Sequence, residues 1–149
     1  MPTVYLDACC LNRPYNDQSQ ARIRLEAEAV LLVLRAVADT SAEWVSSTVL
    51  EYEIDQTPDP ERRRRLHRMT AAASRWLQIE DRDIARAEVL EKAGFADFDA
   101  LHLACAERAG VDVFLTTDDR LLNTAKRVAA QLRVHVENPA TWVSEGGSQ

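Results

Sequence analysis

Short apolar segments alternate with longer segments of helical periodicity along almost the whole chain, and this alternation restricts the available folds more than any other feature. Apolar residues in the longer segments recur every three or four positions, as they do on amphipathic helices. Alternating strands and helices predict a parallel sheet with helices on both faces. The expected fold class is therefore α/β, a three-layer α/β/α sandwich with a mostly parallel central sheet. The candidate strands are residues 3–6, 43–46, 77–79, 113–116 and 134–136.

The expected helices are recognised by their apolar stripes and by the residues that begin and end them. Thr48 and Glu51 have the spacing of a capping box, and Asp59 followed by proline marks another helix start. Gly94 and Gly110 suit the left-handed position that ends a helix. The predicted helices lie within residues 19–39, 48–56, 60–76, 81–92, 98–110 and 121–132.

The length of 149 residues fits one domain with a substantial core. We expect residues 1–143 to form this domain and residues 144–149 to form a flexible C-terminal tail. The long helix over residues 19–39 carries a second apolar stripe besides the one that faces the core. A helix that is apolar on two faces is sandwiched in a core or covered by a partner chain, and we expect a homodimer. The second stripe consists of Leu25, Ala29, Leu32 and Ala36.

Composition excludes several classes of protein. The chain has 18 basic and 24 acidic residues, a net charge of −6, which argues against a general polyanion binder and leaves acids for binding cations. Its four glycines have the spacing of neither a dinucleotide-binding loop nor a Walker loop. Three cysteines without a C-x-x-C pair disfavour a zinc site or a disulfide framework. With no signal peptide and no bilayer-length apolar run, a cytoplasmic protein away from membranes is expected.

Acidic residues follow the strands at the edge where α/β proteins bind their ligands. Asp7 and Asp118 end two strands, Asp99 lies in the first turn of a helix, and Glu51 and Glu53 follow the second strand. Four carboxylates in one pocket raise one another's pKa, so such a pocket needs a cation. Oxygen ligands favour Mg²⁺ or Mn²⁺ over zinc. An ion of this kind can activate water and neutralise a phosphoryl oxygen.

Four segments together resemble the PIN domain family, and they occur in the family's order from residue 4 to about residue 142. The resemblance implies a compact α/β/α fold that binds Mg²⁺ or Mn²⁺ through three or four acids and cuts RNA or single-stranded nucleic acid. Many members are toxins of the VapC type, which a cognate antitoxin inhibits. The four segments read V-Y-L-D at residues 4–7, S-S-T-V-L-E-Y-E-I at 46–54, D-A-L-H-L-A at 99–104 and L-T-T-D at 115–118.

Through this resemblance, Asp7, Glu53, Asp99 and Asp118 are the expected metal-binding and catalytic acids, and Thr116 is a polar helper beside the metal. The implied protein is a metal-dependent endoribonuclease with an RNA substrate and an antitoxin partner. Products of this family carry 3′-hydroxyl and 5′-phosphate ends. The alternative is a catalytically silent module of the same fold that binds RNA or a protein.

Three of the four expected acids have a neighbour that competes for their role. Glu51 and Glu53 lie roughly 200° apart on a helix and cannot face one pocket together. Glu51 has the capping-box spacing, so Glu53 is preferred. Asp97 competes with Asp99, and one of the pair is expected to be a helix N-cap. Asp119 competes with Asp118, but it is more simply an N-cap or first-turn acid.

The loop after Asp7 departs from the family pattern. The family often has Ser or Thr and then Asn or Ser at this point, whereas this chain has Ala8, Cys9 and Cys10. Asn12 is therefore the candidate for the missing polar role, and Arg13 is the candidate for contact with a phosphate. Cys9 and Cys105 are interpreted as small buried hydrophobes, His102 as a core or supporting side chain, and the arginines of residues 62–65 as a solvated surface.

Overall fold

The structure, a computed structural model, describes residues 1–146, and all its strands belong to one sheet in the order β3-β2-β1-β4-β5. Every neighbouring pair of strands is parallel. The prediction of an α/β fold with a parallel central sheet is confirmed. The strands are β1 (Thr3–Leu6), β2 (Glu43–Ser47), β3 (Arg75–Leu77), β4 (Val113–Leu115) and β5 (Val136–Glu137).

Helices cover both faces of the sheet, which gives the three layers expected from the sequence. Val4 and Leu6 of β1 face a core shared with α1–α4 and α8, whereas Tyr5 faces a core shared with α5–α7. No helix within residues 1–146 combines the length and the apolar character that crossing a bilayer requires. The helices are α1 (Ala8–Asn12), α2 (Ala21–Ala38), α3 (Thr48–Asp55), α4 (Pro60–Thr70), α5 (Asp81–Ala93), α6 (Asp97–Ala109), α7 (Asp119–Arg127) and α8 (Pro139–Ser144).

The register of the central strands brings the expected acids to one edge. Leu6 of β1 is paired with Leu115 of β4, so Asp7 and Thr116 emerge side by side. The backbone N–H of Asp7 extends the pairing by donating to the Leu115 carbonyl at 3.0 Å. Parallel strands end at a common edge, and the segments that follow β1 and β4 therefore meet there.

Several segments differ from the sequence-based prediction. The helix expected to reach residue 132 ends at Arg127, and the last strand is Val136–Glu137 instead of residues 134–136. The helix expected to reach Trp76 ends at Thr70, and Trp76 lies in β3 with 43% of its surface exposed. The backbone N–H of Ser74 donates to the Trp44 carbonyl, which starts the pairing of β3 with β2 earlier than the expected strand at residues 77–79. Phe98, expected in a buried stripe, is 44% exposed and lies beside Tyr52 of α3.

Three of the predicted helix ends are confirmed, and one is wrong. Asp59 caps α4 by accepting from the Glu61 N–H at 3.0 Å, and Gly94 and Gly110 end their helices with φ of 123° and 69°. The capping box at Thr48 is wrong, because Thr48 is already helical and Ser47 precedes it.

The second apolar stripe of α2 is not one continuous exposed face. Ala29 and Ala36 are buried in the chain's own core, because α8 and the sheet pack against this helix. Leu25 and Leu32 remain 56% and 50% exposed. The homodimer therefore stays a prediction, with a smaller apolar face than expected.

The predicted tail, residues 144–149, starts within the described part of the chain. Ser144 is the last residue of α8, and Glu145 is its C-cap. Residues 147–149 lie outside the described residues. The flexibility of the tail therefore stays a prediction.

A buried carboxylate joins α2 to the segments around the acid edge. Glu26, only 1% exposed, accepts from Arg13 at 2.8 Å, from Arg22 at 3.1 Å and from the amide of Asn138 at 2.6 Å. Arg22 also donates to the carbonyl of Thr117, just before the start of α7. Glu26 thereby holds the β4–α7 connection against α2.

Replacing Glu26 with Ala should lower the free energy of unfolding by about 3 kcal/mol, because two guanidinium groups lose their buried partner. Urea denaturation of the metal-free protein measures this change. Glu28→Ala, on an exposed position of the same helix, is the matched control and should change stability by less than about 0.5 kcal/mol. Equal losses for the two variants would contradict the structural role assigned to Glu26.

Candidate metal centre

Asp7 is the buried centre of the acid edge, with 6% of its surface exposed. It caps α1, since its Oδ1 accepts from the Ala8 N–H at 2.8 Å. Its Oδ2 accepts from the Thr116 hydroxyl at 2.9 Å. Burial raises the pKa of Asp7, and the charge of Glu53 raises it further, against the opposing effect of His102.

Cys9 takes the polar role that the sequence assigned to Asn12. Its thiol donates to Asp7 Oδ2 at 3.4 Å, lies 3.3 Å from the Thr116 hydroxyl and accepts from the Thr117 N–H at 3.3 Å. Asn12 instead donates its side-chain amide to the Ala8 carbonyl within α1. The interpretation of Cys9 as a buried hydrophobe is therefore wrong, because the tight turn after β1 places its sulfur against the carboxylate.

Glu53 is held by a chain of buried polar groups that crosses from β2 to α6. Its carboxylate contacts His102 Nε2, and the other ring nitrogen of His102 shares a hydrogen bond of 2.6 Å with the Tyr5 hydroxyl. Tyr5 in turn lies 2.6 Å from the hydroxyl of Ser47. Burial lowers the pKa of His102, but the hydrogen bond to Glu53 and the surrounding acids outweigh burial and raise it. In the protonated ring both nitrogens donate, which suits these partners.

Glu51, the competing acid, faces the opposite side of α3. One of its oxygens accepts from the Thr70 hydroxyl at 2.9 Å, and the other lies 2.9 Å from His67 Nδ1. Both partners belong to α4, so Glu51 joins α3 to α4. The structure therefore places Glu53, and not Glu51, beside Asp7.

Asp99 lies in the first turn of α6 and is partly buried. Burial and the charges of Asp7, Asp118 and Glu53 raise its pKa to about 7, although His102 opposes them. Neither Asp97 nor Asp99 is the N-cap, because Ala96 holds that position. Asp97 is exposed in the same turn.

Asp119 is a first-turn acid of α7, as expected, whereas Asp118 holds the N-cap position. Asp118 is the N-cap of α7 and accepts from the Arg120 N–H at 2.9 Å, while its charge still reaches Asp99. Asp119 forms a bidentate pair with Arg22, with both distances 2.7 Å, which lowers the pKa of Asp119. The sequence could not reveal this pair, because Arg22 lies on another helix.

Arg13, the expected phosphate contact, is already engaged. Its guanidinium donates to Glu26 at 2.8 Å and to the side chain of Asn16 at 2.9 Å. The side chain is turned towards α2 by this buried carboxylate. The expectation of a phosphate contact is therefore not supported.

Two of the four expected acids, Asp7 and Glu53, form with His102 a group that could hold a metal ion. Ligand atoms of Asp7, Glu53 and His102 lie within 4.8 Å of one another, and Asp99 and Asp118 act on this group through their charges. Oxygen donors predominate, and both nitrogens of His102 already have partners, which favours a hard cation such as Mg²⁺ or Mn²⁺. Burial is the largest cause of the raised pKa values of Asp7 and Asp99, and the charges of neighbouring acids add to it; a cation would oppose both effects.

His102 and Tyr5 are the contributors to this centre that sequence reasoning undervalued. Asp99 and His102 are three residues apart in α6, the spacing that puts two side chains on one face of a helix. Tyr5 lies two residues before Asp7 in the same strand, but its contact with α6 depends on tertiary packing. The spacing could have identified His102, and no sequence signal could have identified Tyr5.

Comparisons with known proteins agree with the fold. A family model described as PIN domain matches residues 4–127. A chain in the crystal structure of VapBC2 from Rickettsia felis, bound to a DNA fragment from their promoter, is 14% identical to this chain. The similarity covers 91% of this chain and 98% of that chain, with a TM-score of 0.58, and it supports a shared fold alone. No curated protein matches.

Asp99→Asn should remove a pH-dependent loss of stability in the metal-free protein. The pKa of Asp99 is raised from 3.8 to about 7, so its stabilising contribution is complete below pH 3.8 and is lost as the pH rises through about 7. The variant side chain cannot ionise. At pH 8.5 its free energy of unfolding should therefore exceed that of the parent by on the order of 1–2 kcal/mol, allowing for solvent screening. Thermal unfolding with EDTA at pH 5 and pH 8.5 measures the difference.

Asp97→Asn is the matched control for this experiment, because it changes an exposed carboxylate in the same helical turn. Its melting temperature should fall between pH 5 and pH 8.5 by as much as that of the parent protein. A fall for Asp99→Asn as large as that of the parent would contradict the repulsion assigned to Asp99.

Proposed function

Because the chain belongs to the PIN domain family, we propose that it is a metal-dependent endoribonuclease that hydrolyses RNA phosphodiester bonds. The observation that carries this proposal is the group formed by Asp7, Glu53 and His102, whose ligand atoms lie within 4.8 Å of one another, with the charges of Asp7, Glu53 and Asp118 also acting on Asp99. A divalent cation would balance the charges of this group. RNA is proposed as the substrate on the strength of the family resemblance.

Each acid of this centre has a distinct means of being held in place. Thr116 and the Ala8 N–H fix the two oxygens of Asp7, and His102 orients Glu53. Asp99 and Asp118 would complete the ligand set from the first turn of α6 and the N-cap of α7. Bound Mg²⁺ or Mn²⁺ would supply water activation and charge neutralisation at the phosphoryl group.

The surrounding side chains position these carboxylates without serving as ligands themselves. The ring of His102 orients Glu53 through its Nε2, and Tyr5 and Ser47 hold the ring from behind. Arg22 holds Asp119 away from the centre and fixes the Thr117 carbonyl. The same contacts thereby set the direction of α7 and of Asp118.

We also propose that the protein is a cytoplasmic toxin with a protein antitoxin. The similar chain from Rickettsia felis comes from VapBC2, and the sequence resembles toxins of the VapC type. A homodimer is part of the proposal, and the exposed side chains of Leu25 and Leu32 on α2 support it. The second candidate function is a silent module of the same fold, which would keep the acids but would not turn over RNA.

Glu53→Gln should reduce RNA cleavage by at least about 100-fold, because it removes a charge from the metal-binding group and weakens the contact with His102. The assay is cleavage of end-labelled RNA with Mn²⁺ or Mg²⁺, with an EDTA arm that should abolish activity. Product ends should carry a 5′-phosphate and a 3′-hydroxyl.

Glu51→Gln is the matched control, since it makes the same change two residues away on the face towards α4. It should retain activity within about threefold of the parent, a change below 1 kcal/mol in activation free energy. If Glu51→Gln alone abolished cleavage, Glu53 would be the wrong acid. Metal binding without any cleavage by the parent protein would favour the silent module.

A further inference from the structure

Two arginines of α4 are gathered on the ring of Tyr15. The guanidinium carbons of Arg62 and Arg65 lie 5.7 Å and 6.0 Å from the centre of this ring, distances that permit cation–π contacts. The Tyr15 hydroxyl donates to Met69 Sδ at 3.7 Å, one helical turn further along α4. The interpretation of these arginines as a solvated surface therefore does not hold for Arg62, which is partly buried beside the ring.

The two guanidinium groups line an open cavity of about 350 Å³ together with Tyr15, Asp59 and Glu61. Both acids of the lining are already engaged. Asp59 caps α4 by accepting from the N–H groups of Glu61 and Arg62, and Glu61 forms an exposed ion pair of 3.0 Å with Arg65. Among the described residues Arg62 has no ion-pair partner. The cavity therefore offers one guanidinium without a counter-ion and a second whose weak surface pair an incoming anion can replace.

The chemistry of the cavity suits a phosphate group. A guanidinium that is stacked on a ring keeps the N–H donors at its edge, and this planar fork matches the oxygens of a phosphate. Two cations on one ring repel each other, so an anion between them is stabilising. The surrounding helix is basic, because residues 59–70 contain five arginines and two acids. Every lining residue except Tyr15 is charged, which disfavours an apolar ligand.

The start of α4 lies on the side of the sheet that carries the candidate metal centre. The chain leaves β2 at the acid edge, passes through α3 and returns along α4 to the opposite edge, where β3 begins parallel to β2. The first turn of α4 is therefore nearer the acid edge than its last turn. Tyr15 lies on the same side, since it follows Asp7 and precedes α2, which returns to the start of β2. The helix α1, which begins directly after Asp7, contacts both α3 and α4.

Resting on the ribonuclease function proposed above, we propose that Arg62 and Arg65, held on Tyr15, bind a backbone phosphate of the RNA away from the scissile bond. The acid edge repels a phosphate backbone, and the whole chain has a net charge of −6, so RNA binding requires a local cationic site. The RNA strand passes from the metal centre over α3 to the first turns of α4. These arginines bind substrate but do not touch the reacting atoms.

The phosphate contact is tested by RNA binding, independently of cleavage. Fluorescence anisotropy with a labelled 12-nucleotide single-stranded RNA is measured with Ca²⁺ in place of Mg²⁺, and a denaturing gel verifies that the RNA stays intact. Arg62→Gln should weaken binding by about tenfold. It should also reduce the slope of log affinity against log salt by about 0.7, the value for one phosphate contact on a single strand.

Arg64→Gln is the matched control, because it makes the same charge change on the same helix. Arg64 is exposed and lies roughly 200° around α4 from Arg62, away from the Tyr15 ring. This variant should bind the RNA with the affinity and salt slope of the parent. A loss equal to that of Arg62→Gln would mean a general charge effect and would overturn the site.

The role of the ring is tested without any change of charge. Tyr15→Leu removes the stacking surface and should weaken RNA binding severalfold, whereas Tyr15→Phe keeps the ring and should bind as the parent does. Circular dichroism and thermal unfolding verify that both variants are folded. Parent-like binding by folded Tyr15→Leu would overturn the stacking contact. Arg62→Gln changes a residue at the surface and decides the phosphate contact whether or not Tyr15→Leu folds.

Failure of this site and failure of the nuclease proposal give different results. If the parent cleaves RNA, Arg62→Gln should raise KM and leave kcat unchanged, since the contact is remote from the reacting atoms; an unchanged KM would overturn the site and leave the nuclease standing. If Arg62→Gln weakens RNA binding but no form of the protein cleaves RNA with Mn²⁺ or Mg²⁺, the site stands and the nuclease is wrong. Unchanged RNA binding, with weaker binding of an acidic protein partner by Arg62→Gln, would overturn the inference.

Discussion

Carboxylates that share a poorly solvated pocket repel one another, and the acid edge of this sheet is organised around that repulsion. Burial and neighbouring acids raise the pKa of Asp99 to about 7, and burial raises that of Asp7. Packing alone gives no reason to bring these groups together. The arrangement becomes favourable when a divalent cation balances their charges, which links the stability of the fold to its proposed activity.

The rest of the fold supplies the contacts that hold this repulsive group in place. The hydroxyl of Thr116 holds Asp7, the ring of His102 holds Glu53, and the N-terminus of α7 holds Asp118. Arg22 donates both to Glu26 and to the Thr117 carbonyl, and these contacts hold the β4–α7 connection against α2.

The sequence allowed the sheet, most helices and the grouping of acids to be predicted, because these follow from local patterns and from the common edge of parallel strands. Helical geometry excluded a pocket shared by Glu51 and Glu53, but the preference for Glu53 relied partly on a capping box that the structure does not form. Three further features were not predicted. The bond of Arg13 to Glu26 and the early end of α4 before Trp76 depend on contacts between separate elements, and the thiol of Cys9 is placed against Asp7 by the tight turn after β1.

Mn²⁺ binding by isothermal titration calorimetry, in buffers of different ionisation enthalpy at pH 6.5, tests the central claim most directly. A carboxyl group with a pKa of about 7 is mostly protonated at this pH, so binding should release a proton. In Asp99→Asn, affinity should fall by at least about tenfold and much of the proton release should disappear. Absence of Mn²⁺ binding, or binding that Asp99→Asn leaves unchanged, would contradict the account of the acid edge as a metal centre.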